Sequence, residues 1–302
     1  TYNIIMYQKP FLKWVGGKTQ IIDSVIGKFP KQMNNYHETF LGGGSVLLAL
    51  LTLVNEKKIV IKGTINAYDI NKNLIHVYKN IQDNIEELLE ELTILKEEYK
   101  GLTGKEKIRN PKNEEEAKGS KESYYYWCRT CFNLMDKYTP KHSAYFIFLN
   151  KIGFRGMYRE GPNGFNVPFG HYKKVPEIFN KDQLYKIQKL FKNVNFYCQS
   201  FEDSLKNVDT GDYVYLDPPY VKENKKSFVG YNKKGFDLDT HKRLFSMVKE
   251  LKVKFTMSNS SVPLVKNTFE GYEICELEAR RAINSKNPGS TTTEVIISHK
   301  TY

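Results

Sequence analysis

Hydrophobic and polar positions fall into blocks along the chain, and the period of the pattern changes from block to block. Tyr36 to Phe40 reads as a short strand leading into a glycine turn, Leu41-Gly42-Gly43-Gly44-Ser45; the apolar run Val46 to Val54 behind it predicts a helix. Ile59 to Tyr68 is β-branched and apolar and predicts a second strand, ending at Asp69. The order strand, glycine turn, helix, strand, acid predicts a βαβ unit. Asn71 to Tyr99 then carries a long helical pattern without strand signals. Lys100 to Lys121 is polar and charged and reads as an exposed linker or insertion, and Ser123 to Tyr138 is helical again. Asn150 to Lys174 concentrates Gly, Arg and aromatic residues, as expected of a functional loop or hairpin.

Alternation resumes with a helix from Asp182 to Lys192 and a strand from Val194 to Cys198. Tyr213 to Leu216 has the continuous apolar character of a buried strand. A helix (Leu238 to Leu251), a strand (Val253 to Met257) and a hairpin-like stretch (Tyr272 to Ser298) complete the series. The pattern predicts an open α/β sheet built from residues 1–71 and 181–302, interrupted by a mostly helical insertion at 72–180 that contains the polar segment 100–121.

Composition narrows the class. With 302 residues and 40% hydrophobic content, the chain can bury a sizeable core, and its composition argues against disorder. No window approaches about 18 consecutive apolar residues, so no membrane span is expected. The lysines at 9, 13 and 18 argue against an apolar signal core near the start, and four cysteines argue against a disulfide scaffold. The expectation is a soluble protein acting in a reducing, cytoplasmic setting. A net charge of +12 suggests a polyanionic partner. Only seven of the 46 basic residues are Arg, and four of them fall in two close groups, Arg155 with Arg159 and Arg280 with Arg281.

Four motifs carry candidate chemistry. Gly17-Lys18-Thr19 resembles the end of a P-loop, but Leu12 stands where that motif needs its first Gly, so ATPase chemistry is a poor reading. Cys128 and Cys131 form a C-x-x-C without two further ligands at zinc spacing, and they read as small core residues of a helix. The glycine turn would let a ligand approach the backbone, with Asp69, 27 residues after Gly42, able to accept ribose hydroxyls; a tight turn and a solvated acid remain open. Asp217-Pro218-Pro219-Tyr220 is the most specific feature. It follows a buried strand directly, at the edge where open α/β sheets bind ligands. Two prolines remove two backbone donors and stiffen the chain. What is left is a rigid pair of acceptors, the Asp217 carboxylate and the Pro218 carbonyl, beside an aromatic face, which suits an exocyclic amine on a stacked base.

Taken in order, these residues resemble the Dam-type DNA adenine-N6 methyltransferases, the D12 or alpha-group class. Phe11 to Lys18 resembles that family's N-terminal cofactor motif, Phe40 to Ser45 its glycine loop, and Asp69-Ile70-Asn71 its ribose-binding acid. Asn150 to Arg159 and Phe165 to Gly170 resemble its target-recognition region, and Asp217 to Tyr220 its D-P-P-Y motif. Ser258-Asn259 and Arg280 to Ile283 resemble its last strand exit and hairpin.

The resemblance implies a Rossmann-like, S-adenosylmethionine-dependent methyltransferase sheet with an inserted target-recognition domain. It implies double-stranded DNA as substrate and no metal; the oligomeric state stays open. Trp14, Lys18, Phe40, Gly42, Gly44, Ser45, Asp69 and Asp217 would contact the cofactor, with a looser match at Ser200 and Phe201 for its adenine. Asp217, Pro218, Pro219 and Tyr220 would form the catalytic motif around an adenine flipped out of the duplex. Arg159 matches a guanine-reading Arg, Lys13 a base-contacting Lys, and Phe154 an aromatic inserted near the extruded base. Asn166, Pro168, His171, Tyr172 and Lys173 would complete the DNA surface. Arg155 stands where the family commonly has Asn, and His171 where it often has Arg. GATC is the leading recognition site. Cytosine-N4 methylation, which needs the same acceptors, and an inactive DNA-binding protein of the same fold are the rival readings.

Overall fold

The computed structural model describes residues 6–221, 236–280 and 291–300, with the side chains of Ala279, Arg280, Thr291 and Thr292 excepted. The resemblance of Arg280 to Ile283 therefore lies outside the described residues, apart from the Arg280 backbone. A short helix α1 (Ile22–Ile26) and strand β1 (Gln32–Met33) precede β2 (Tyr36–Glu38), α2 (Ser45–Asn55), β3 (Val60–Ile61) and β4 (Ile65–Asp69). Five helices follow: α3 (Lys72–Asp83), α4 (Ile85–Gly101), α5 (Glu114–Lys118), α6 (Lys121–Leu134) and α7 (Pro140–Ile152). A 3-10 turn at Phe154–Gly156 leads to a hairpin of β5 (Glu160–Gly161) and β6 (Gly164–Phe165). The chain then runs through α8 (Lys181–Phe191), β7 (Val194–Cys198), α9 (Phe201–Lys206), β8 (Tyr213–Leu216), α10 (Leu238–Glu250) and β9 (Lys254–Ser260). Helix α11 (Pro263–Thr268) and strands β10 (Glu273–Arg280) and β11 (Thr291–Ser298) complete the described fold.

Seven of these strands form one mixed sheet in the order β10-β11-β9-β8-β2-β4-β7. Strands β7, β4, β2, β8 and β9 are parallel, and β11 runs antiparallel to both of its neighbours. From β2 the chain moves outward to β4 and β7 on one side, then returns to place β8 and β9 on the other. The strand order reverses between β2 and β8, and the crevice beyond their carboxyl ends is where such sheets take ligands. All residues of β2 and β8 are buried, as expected for parallel strands covered on both faces.

Two apolar clusters cover the faces. One runs from α2 through α3, α4, α6 and α7 to α8, and the other joins α10 and α11 to Val214, Phe255 and Val295. Helix α2 is buried nearly all round, from Val46 to Leu51, which is why its sequence shows an apolar run rather than a stripe. Helix α3 packs on β4, β7, α7 and α8, so it serves both as a crossover helix and as a wall of the helical layer.

Two expectations are corrected and one helix is added. The strand expected over Ile59 to Tyr68 divides in two. At the break, Gly63 N and Thr64 N bond to Asn34 O and Asn35 Oδ1, and β3 pairs with β1 in a separate two-stranded sheet. The long helix expected over Asn71 to Tyr99 breaks at Asn84, whose backbone (φ −132°, ψ 40°) is not helical. Helix α7 carries signals the pattern reading passed over: Pro140 in its first turn, and a Thr139 hydroxyl accepting from His142 N at 3.1 Å. The polar segment 100–121 holds α5, and Ser123 Oγ tethers it by accepting from Ile108 N and donating to Glu106 O. Cys128 is wholly buried in α6 and Cys131 partly so, with burial pushing both thiols up, as the core reading expects.

Candidate active site and DNA-facing surface

The glycine turn leaves β2 at the switch point, and three contacts hold it there. Leu41 N bonds to Tyr68 O at 2.8 Å, Gly42 N to Asp69 Oδ2 at 2.9 Å, and the Tyr78 hydroxyl donates to Gly42 O at 2.8 Å. Asn71 N bonds to the other Asp69 oxygen at 2.8 Å. Each carboxylate oxygen keeps a further lone pair, so Asp69 can still accept from a diol. Burial raises its pKa from the usual carboxylate value, and the bonds from Asn71 and Gly42 oppose that rise.

Gly44 caps α2 in the left-handed region (φ 70°), where a side chain would meet the Tyr78 hydroxyl at 2.9 Å. Gly44→Ala is therefore expected to cost about 1–2 kcal/mol in backbone strain and to displace Tyr78 from Gly42. Thermal unfolding checks this, with Gly101→Ala as the comparison; Gly101 is exposed at the end of α4, with nothing near its missing Cβ, and the change there should not destabilise.

The segment from Lys13 to Lys18 lies across the turn. Gly42 and Gly43 press against Trp14, which stacks with Tyr158 (5.9 Å between ring centroids) and Phe146 (6.4 Å). Lys18 N bonds to Ser45 Oγ at 3.0 Å. The Lys18 ammonium, 3% exposed, forms an ion pair with Asp217 Oδ2 at 2.8 Å and stands 4.9 Å from the centroid of the Tyr220 ring. Burial raises the Asp217 carboxyl to about 6; Lys18 pulls it down and Glu294 adds to the rise. Close by, Glu38 is buried beneath the Tyr36 hydroxyl (2.7 Å), and burial raises it to about 8. The Tyr220 hydroxyl donates to Glu294 Oε2 at 2.7 Å.

The glycine turn, the Trp14–Lys18 segment, Glu38 and the exit of β8 border a cleft of about 790 Å³. It takes in Trp14, Lys18, Phe40, Gly42, Ser45, Asp69 and the whole Asp217–Tyr220 motif. Gly44 stands behind the turn rather than in its lining. At the β4 and β7 end, Ile70 is 78% exposed, Phe40 stacks on Phe201 (5.9 Å), and the buried Gln199 Oε1 has no hydrogen-bond partner among the described residues. A flat apolar slot with a spare acceptor, an acid for a diol, and a carboxylate–ammonium pair fit an adenosine joined to an amino acid. The residues present therefore suit S-adenosylmethionine. Sequence reading missed Glu38, Gln199, Phe236, Thr240 and Glu294. For Glu294 a signal existed, since it is the one charge in Thr291–Ser298, a strand otherwise made of Thr, Val, Ile and Ser.

The residues expected at the DNA surface gather around the turn after α7. The buried Asn150 clamps Lys13: its Oδ1 accepts from Lys13 N (2.9 Å), and its Nδ2 donates to Lys13 O (2.7 Å) and Gly156 O (3.2 Å). This ties the turn to the segment that enters the cleft. Phe154, 40% exposed, is anchored by its N–H to Pro168 O at 2.8 Å. Arg155 adopts a left-handed backbone (φ 56°) and lays its guanidinium 5.0 Å from the Phe154 ring.

Arg159 reaches Asn166 twice, Nε to Oδ1 at 2.6 Å and Nη2 to the carbonyl at 3.1 Å, so the β5–β6 hairpin presents it as a braced fork. The Tyr172 hydroxyl donates to Gly153 O at 2.8 Å and lies 3.3 Å from Lys13 Nζ. His171 and Lys173 are exposed, with His171 Nε2 3.9 Å from the buried Glu122. No helix among the described residues is long and apolar enough to cross a membrane.

The site thus combines a glycine turn at the switch point of a mixed sheet with an Asp-Pro-Pro-Tyr exit on the adjacent strand β8. The model of the D12 class N6 adenine-specific DNA methyltransferases matches residues 14–283, and the chain belongs to that family. A type II methyltransferase of Methanocaldococcus jannaschii is 38% identical, covering 93% of this chain and 94% of that protein. One from Lactococcus lactis is 32% identical, with 96% and 95% covered. The DNA adenine methylase of Escherichia coli is 28% identical, with 95% and 92% covered.

Proposed function

We propose that this chain transfers a methyl group from S-adenosylmethionine to N6 of an adenine extruded from duplex DNA, with GATC as its site. The observation that carries the reading is the rigid Asp217–Pro218 acceptor pair beside the Tyr220 ring, in one cleft with Lys18 and the Asp69-braced glycine turn.

Asp69 accepts the ribose hydroxyls, Ser200 and Phe201 border the cofactor adenine, Phe40 and the glycine loop lie under its methionine part, and Lys18 neutralises the carboxylate of that part. When bound, S-adenosylmethionine supplies an electrophilic methyl group. Adenine N6 is buried in a stacked duplex, so the base is drawn out at a cost of a few kcal/mol. Tyr220 stacks on it. The Asp217 carboxylate and the Pro218 carbonyl accept its two N6 hydrogens, which turns the nitrogen lone pair toward the methyl group. As the N–C bond formed, the methyl–sulfur bond would break with its electron pair left on sulfur, giving S-adenosylhomocysteine; one N6 proton would become acidic, and Asp217 stands within reach to hold it before solvent takes it. Positioning and fixed charge supply most of the acceleration.

The helical stretch 72–180 and its hairpin would form the target-recognition part. Arg159 reads a guanine bidentately, a contact worth about 1–3 kcal/mol of discrimination. Lys13 contacts a base, Phe154 fills the space left by the extruded adenine, and Arg155 and Asn166 border the recognition surface. His171, Tyr172 and Lys173 hold the phosphate backbone. Arg159→Ala is expected to relax selectivity at one guanine by about ten- to a hundred-fold, read from methylation rates on duplexes varied at each position. A uniform loss across all sequences would instead make Arg159 a phosphate contact.

A further inference from the structure

The antiparallel end of the sheet grips Tyr220 from two directions. Its hydroxyl donates to Glu294 Oε2 at 2.7 Å, and Glu294 stands on β11 opposite Ser260 of β9. Ser260 Oγ in turn donates to Val221 O at 2.6 Å, and Asn259 Oδ1 accepts from Val221 N at 3.2 Å. The Tyr220 ring and the peptide that follows it are thus tied to adjacent strands. The Lys18 ammonium stands 4.9 Å from the ring centroid. A carboxylate on an otherwise uncharged strand, partly buried, costs solvation and needs an offsetting role.

We propose that Glu294 is a positioning residue for methyl transfer: by holding the Tyr220 hydroxyl it fixes the plane of the ring on which the target base stacks. This inference rests on the adenine-N6 reading of the site. A stacked base slides easily within its plane, yet its amine must meet two acceptors at once. A ring left to turn about its side-chain bonds would let the amine drift, and a misplacement of about 1 Å costs about 10²-fold in rate. A hydrogen bond to a carboxylate is strong enough to set that plane before the base arrives. The same bond enriches the phenol ring in electrons, which favours the positive charge that grows on the adenine amine as the methyl group arrives.

The test compares Glu294→Ala, Glu294→Gln, Tyr220→Phe and the double variant Glu294→Ala/Tyr220→Phe on the full chain. Single-turnover rates are measured at saturating S-adenosylmethionine, alongside thermal unfolding and the fluorescence of 2-aminopurine placed at the target adenine. Glu294→Ala should slow the single turnover by about ten- to a hundred-fold, with KM for the cofactor little changed. Glu294→Gln, which keeps an acceptor, should recover much of the rate. The double variant should lose no more than Tyr220→Phe alone, because both changes break the same bond. An unchanged rate in Glu294→Ala, losses that multiply in the double variant, or a slow rate that merely follows a lower melting temperature would each overturn the assignment. Failure of the wild-type chain to form N6-methyladenine would remove the functional reading and this role with it, whereas normal wild-type turnover with an indifferent Glu294 removes this role alone.

Discussion

Asp217→Ala is expected to abolish methyl transfer and to leave DNA binding largely intact. In the proposed mechanism the carboxylate is an acceptor for the target amine, so its loss acts on the chemical step. The residues proposed to hold DNA sit elsewhere, around Lys13, Phe154 and the β5–β6 hairpin. Removing one preorganised electrostatic contact of this kind costs about 10²–10³-fold in turnover. Loss of the proton acceptor as well should take the rate to the lower limit of detection. Truncation also leaves the nearly buried Lys18 ammonium without its ion-pair partner at 2.8 Å, so melting temperature is followed in parallel. Gel-shift affinity for duplex DNA should stay within a few-fold of wild type. Retained turnover in Asp217→Ala would sink the catalytic assignment.

Lys18→Met is expected to move the acidic limb of the activity profile. In the proposed mechanism the productive form of Asp217 is the carboxylate. Burial raises its pKa to about 6, so turnover should fall as pH drops through about 6 rather than through the ordinary carboxylate range near 4. Lys18 is the group that pulls this value down. Without its charge the neutral acid is favoured further, and the midpoint shifts upward. Activity at neutral pH should fall by about ten-fold or more and recover in part at higher pH. The measurement is kcat against pH at saturating cofactor, which separates the shift from any rise in KM. A profile unchanged in midpoint would show that the ion pair does not govern the ionisation of Asp217.

The parts of the fold and site that were legible in the sequence are those where local chemistry and tertiary role coincide. Tyr213 to Leu216 is buried on both faces and reads so, and Asp217 to Tyr220 is stiff by virtue of its own prolines. Gly42 and Gly44 need left-handed backbones, which their residue type announces. The break at Asn84 was hidden because the helical period continues on either side of it. The division of Ile59 to Tyr68 was hidden because β-branched residues suit both short strands, and only Asn34 and Asn35, distant in sequence, fix the turn between them. Asn150 could be placed in the target region from its motif. Its clamp on Lys13 is a contact across 137 residues that no local pattern encodes. Glu294 meets Tyr220, and Glu38 reaches the cleft beside β8, only through the sheet order, which no local pattern encodes.

Methyl transfer from labelled S-adenosylmethionine to duplexes carrying GATC or its scrambled counterpart, with the product nucleosides identified by mass, tests the central claim most directly. N6-methyladenine formed on the GATC duplex alone is the predicted result. N6-methyladenine on other sequences would keep the chemistry and contradict the site, pointing to Arg155. N4-methylcytosine, or DNA binding without any methylated product, would contradict the account itself.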